Sequence, residues 1–129
     1  MTLYPSTEDI ISVNEEVLKE IKVRKADAHK VLSRVKIDKV LESVKCSKGD
    51  LYDKAAVMLK DLIQAHPFAS GNRRTAFVVV QNFLLYNSEK PKVNKDSNAR
   101  IMQGIREGYY THDEIKNWLE GGDIREFKR

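Results

Sequence analysis

The chain has 129 residues, 41% hydrophobic and 33% charged, which fills one modest core under a solvated surface and excludes a multidomain machine. Its 23 Lys and Arg against 19 Asp and Glu leave a net charge of +4, interleaved with acids rather than gathered in a basic stripe, so the composition argues against a dedicated nucleic-acid binder. A single cysteine cannot close an internal disulfide, and no apolar run approaches the ~20 residues of a membrane span. MTLYPSTEDI has no basic segment followed by an apolar one, so a cytoplasmic protein away from membranes is expected.

In chain order, Ser6 and Asp9 mark a helix start, and Ile10, Val13, Val17 and Leu18 follow at helical spacing. A second short helix is expected from about Ala26 to Val35. The stretch from Arg34 to Asp50 admits two readings: Val35, Ile37 and Val40 alternate as in a strand, whereas Val40, Leu41 and Val44 are spaced as in a helix. Lys48-Gly49-Asp50 reads as a turn. Leu51, Ala55, Met58, Leu59, Leu62 and Ala65 then share a helical face, and that helix must stop before Pro67. Asn72 to about Asn87 reads as a buried central helix, although Phe77-Val78-Val79-Val80 has strand propensity. Asp96 to Glu107 carries Ile101 and Ile105 on a further helix. Thr111 and Glu114 form a capping box for a last one, which Gly121-Gly122 ends. The expected class is all-α, a single domain over 1–129 with one irregular excursion before its central pair of helices.

The densest chemistry lies in HPFASGNRRTA, residues 66–76, where a helix end, a glycine turn and a helix start meet. Gly71 permits a tight turn or a close approach of backbone to ligand. The first turn of the following helix offers backbone N–H groups and the positive end of its dipole, a seat for phosphate oxygens. Arg74 adds a forked cationic donor, Asn72 caps the helix or bonds a phosphate, and His66 is placed to take a proton from an attacking hydroxyl. Phe68 reads as a core anchor of the loop. Each residue alone has a plainer structural role; base, glycine turn, helix start and paired arginines within nine residues are what point to catalysis.

This segment closely resembles the Fic/Doc motif, H-P-F-x-[D/E]-G-N-[G/K]-R. The resemblance implies a compact helical bundle with a small flap or hairpin excursion that docks the target, here expected at 35–44. It also implies a transferase that acts on a protein hydroxyl with ATP and Mg²⁺. By position His66 would be the general base, Phe68 the anchor, Gly71 and Asn72 the frame of the anion hole, and Arg74 the phosphate holder, with Ser70 and Arg73 completing the nucleotide site. Ser70 departs from the pattern: the family has Asp or Glu there on the magnesium ion, and a hydroxyl is a poorer ligand for a hard cation. Asp61 is a speculative substitute. Its plainer role is a surface charge.

Two further departures bear on the reaction. Members that transfer AMP have Gly where this chain has Arg73 and a second Arg where it has Phe77. The death-on-curing branch has Lys and an apolar residue. The resemblance is therefore nearest to death-on-curing toxins, which implies a kinase modifying a translation elongation factor, with a separate antitoxin as partner. An AMP-transferring enzyme and a catalytically weakened nucleotide- or protein-binding module are the alternatives. The inhibitory pattern [S/T]-x-x-x-E-[G/N] is not met, because Gln103 precedes Glu107-Gly108 and Lys116 precedes Glu120-Gly121 at the required spacing.

Overall fold

Six helices are present among the described residues of the computed structural model, which are 1–20, 30–93 and 98–128. They are α1 Thr7–Glu20, α2 Arg34–Cys46, α3 Leu51–Ala65, α4 Asn72–Tyr86, α5 Asn98–Arg106 and α6 His112–Leu119. The all-α expectation holds. No described helix is long and apolar enough to cross a membrane.

Helix α3 is the hub, packing against α2, α4, α5 and α6, while α1 lies across α4 and α2. Its sequence explains that place. Ala55, Ala56, Met58, Leu59, Leu62 and Ile63 are all buried, so apolar residues surround much of the helix instead of forming one stripe. Asp50 and Asp53 close a capping box at its start, each side chain accepting the other residue's backbone N–H. At its other end Pro67 forbids another turn, and His66 takes a left-handed conformation with φ 50° and ψ 57°.

The segment with two readings is helical. Ser33 caps α2 by accepting the Lys36 N–H, and Ile37, Val40, Leu41 and Val44 bury one face against α3. Four apolar residues at i, i+3, i+4 and i+7 outweigh the alternation of Val35 and Ile37. The target-docking flap expected at 35–44 is thus corrected: those residues lie within α2. The short helix expected from about Ala26 lies partly outside the described residues, and its described part is not helical before Arg34.

Extended backbone sits just upstream of α2. Val31 pairs antiparallel with Phe68 in an isolated bridge. Pro67 O accepts from the N–H groups of Leu32 at 2.8 Å and Ser33 at 3.2 Å, and Ala69 N donates to Lys30 O at 3.0 Å. This bridge is what the described residues show of a hairpin excursion.

Helix α1 starts on a reciprocal pair, Ser6 N to Asp9 Oδ2 at 2.8 Å and Asp9 N to Ser6 Oγ at 3.1 Å. Tyr4 stacks on Phe83 and Leu3 exchanges backbone bonds with the Asn87 side chain, so the N-terminal segment is tied to the end of α4. Trp118 and Tyr110 are buried as core residues, and the Thr111–Glu114 capping box forms at the start of α6.

Candidate active site

The turn between α3 and α4 is built around Asn72. Its Oδ1 accepts the Phe68 N–H at 2.9 Å and its Nδ2 donates to Phe68 O at 2.8 Å, so the amide pairs with one residue's backbone at both ends. Phe68 is 1% exposed and plugs the core beneath the turn. The same Nδ2 lies 3.2 Å and 3.3 Å from the two His66 ring nitrogens, which fixes the imidazole beside the turn. Asn72 is therefore not the helix cap. It occupies the first position of α4, and its polar atoms hold the loop.

Gly71 is the N-cap of α4, with φ 75°, and supplies no side-chain cap. A Cβ there would lie 3.2 Å from Leu18 Cδ2 and 3.4 Å from Asn14 Nδ2, so glycine answers both the left-handed backbone and the close approach of α1. Asn14 is fully buried in the apolar face of α1. It donates to Ser70 O at 2.9 Å and Thr75 Oγ1 at 3.0 Å, binding α1 to the motif. Sequence reasoning missed it. Its signal was a polar residue four after Ile10 and three before Val17, inside the stripe.

These elements surround a cavity of about 220 Å³. His66, Ser70, Gly71, Asn72, Arg73 and Arg74 all line it, so the residues expected from the motif converge on one place. Ile63 forms an apolar wall, and Arg106, from the last turn of α5, contributes a cation that the motif did not indicate. Phe68 lies beneath the loop.

The cations are held differently. Arg73 Nη1 donates to Gln103 Oε1 on α5, and Gln103 in turn donates to Glu107 at 2.6 Å. Arg74 is half exposed and, among the described residues, makes a loose ion pair of 3.9 Å with Glu20 at the end of α1. Such a surface pair contributes little and yields readily to a better anion. His66 has its pKa lowered from 6.5 by partial desolvation, then by the positive charges of Arg106 and Lys36. The shift favours the neutral imidazole, the form able to accept a proton.

Among the described residues the donor set for a metal is poor: none that lines the cavity is a carboxylate, Ser70 offers a hydroxyl and a carbonyl engaged by Asn14, and no group of three His, Cys, Asp or Glu could hold an ion. Asp61 does not fill the gap: it bonds to Ser43 on α2 and lines a separate depression with Lys36 and Lys39. These residues do not fit a magnesium ion held by the protein itself.

The sequence model of the Fic/DOC family matches residues 4–84, from the N-terminal segment into the last turn of α4. The chain belongs to the Fic/DOC family. The match spans the α3–α4 turn and the helices that position it, and Arg106 lies beyond it. No curated protein matches the chain.

Proposed function

We propose that this Fic/DOC-family chain is a transferase that binds the phosphates of ATP in the His66 cavity and passes AMP to a protein hydroxyl. The observation that carries the reading is the convergence of His66, the glycine-led start of α4 and three arginines on one open cavity. His66 takes the proton of the target hydroxyl as its oxygen bonds the α-phosphorus. The bond from that phosphorus to the β-phosphate oxygen breaks, and pyrophosphate leaves. The N–H groups at the start of α4 and the Arg74 guanidinium receive the charge gathering on the phosphate oxygens.

Phosphoryl transfer was the expectation from Arg73 and Phe77. A long cation at 73 would favour that reaction by crowding the phosphates and turning the terminal phosphoryl toward the acceptor, but the Arg73 guanidinium is engaged by Gln103. With Arg73 drawn to α5, the case for turning the nucleotide loses its main support, and AMP transfer becomes the better reading. Phe77 still favours phosphoryl transfer: it is 7% exposed in the core, so no cation projects from that position of α4.

The two are separated by incubating the protein and a cell lysate with ATP labelled at either the α- or the γ-phosphorus. AMP transfer leaves the α-label alone on a target band. Retention of the γ-label in place of the α-label would replace it with phosphoryl transfer. Absence of both, with the protein folded and nucleotide bound, would favour a binding module weakened by Ser70.

A further inference from the structure

The described residues that line the cavity include three arginines and no carboxylate, and the third arginine comes from outside the family match. We propose that Arg106 is a phosphate-binding residue of the His66 cavity, and that arginines and the α4 start hold a polyphosphate there without a metal ion bound by the protein. This rests on the nucleotide reading above and names how that site holds its ligand.

Arg106 is presented by a rigidly placed helix. Ile105, its neighbour, is buried, and Ile105 O accepts a 3.1 Å bond from Gln64 Nε2, two residues before His66. Gly104 lets α5 press against the C-terminal segment: a Cβ there would stand 2.5 Å from Tyr110 Cε2 and 3.1 Å from Phe127 Cγ. Residue 106 is thereby registered against the end of α3, and its exposed side chain lines the cavity together with the start of α4. Three arginines and a helix N-terminus line a space of about 220 Å³, and none of the described residues lining it is a carboxylate. That is smaller than the roughly 300–1,000 Å³ of sites that enclose whole drug-sized ligands. It suits a phosphate chain, with the nucleoside lying outside. Arginine pairs phosphate oxygens bidentately, so it supplies the neutralisation that a carboxylate-held cation gives elsewhere.

The test is calorimetric titration of the full chain with ATP and, separately, with inorganic tripolyphosphate, each in EDTA and in excess magnesium. Wild type should bind both probes in EDTA. Arg106→Ala should weaken both by roughly tenfold or more, Arg106→Lys should fall between, and Lys39→Ala, which removes an exposed cation of α2 outside the cavity, should bind like wild type. Circular dichroism checks that each variant is folded, as expected for exposed positions. Equal binding by Arg106→Ala and wild type overturns the inference. So does a wild type that takes up neither probe until magnesium is added. Tripolyphosphate binding that depends on Arg106, without ATP binding, would uphold Arg106 and remove the nucleotide reading instead.

Discussion

Three influences lower the pKa of the His66 imidazole: partial desolvation beside the loop, then the positive charges of Arg106 and Lys36. Each disfavours the imidazolium, so the folded pKa lies below the ordinary 6.5. A base of this kind keeps its activity as pH falls through 6.5 and loses it only lower. An NMR titration, with the resonance assigned from its loss in His66→Ala, should give an apparent pKa below 6.5, and Arg106→Ala should move it upward. Asn72 is tested by a substitution that spares half its role. Asn72→Asp still accepts the Phe68 N–H but sets a carboxylate oxygen against Phe68 O, where the amide donated. A loss of about 1–3 kcal/mol is expected, read as a lower midpoint in urea. An unchanged midpoint would mean the loop does not depend on this clamp.

Among the elements, α3 and α4 were legible because periodicity and breakers agree: apolar residues recur at helical spacing, Pro67 stops one helix and Gly71 starts the next. The motif residues were legible for a related reason, since a turn of six residues brings them together whatever the rest of the chain does. The conformation of 35–44 was not. A strand alternation and a helical stripe overlap there, and burial against α3 decides between them. Arg106 was not legible either, because thirty-one residues of chain separate it from Arg74 and only the docking of α5 closes the distance. That docking depends on Gly104. Gly104→Ala places a methyl group against Tyr110 and Phe127, and overpacking of this kind costs about 1–3 kcal/mol. The Tm should fall, and because α5 must shift to relieve the clash, phosphate binding should weaken more than it does in an equally destabilised variant elsewhere.

Across the whole molecule, α6 is tied to the start of α3 by charge. Asp53 accepts from His112 Nε2 at 3.0 Å and Lys116 Nζ at 3.1 Å, besides the Asp50 N–H. His112, then the Asp50 N–H, then Lys116 hold this carboxyl well below its ordinary 3.8. A depressed carboxyl contributes stability that is present above its unfolded value and disappears as pH falls through the folded one. Wild type should therefore begin to lose Asp53's contribution as pH drops below 3.8. Asp53→Asn should be less stable at neutral pH and show a shallower decline in acid, followed by circular dichroism against pH. A variant with the wild-type acid profile would show that the cluster does not join α6 to α3 energetically.

The central claim concerns what the α3–α4 turn does, and intact mass of a target protein tests it most directly. Candidate targets captured from a lysate would be incubated with ATP and either wild-type protein or folded His66→Ala. The account predicts a mass gain of one AMP group with wild type and none with His66→Ala. A gain that persists in His66→Ala, or no gain on any target that binds the ATP-loaded protein, would contradict it.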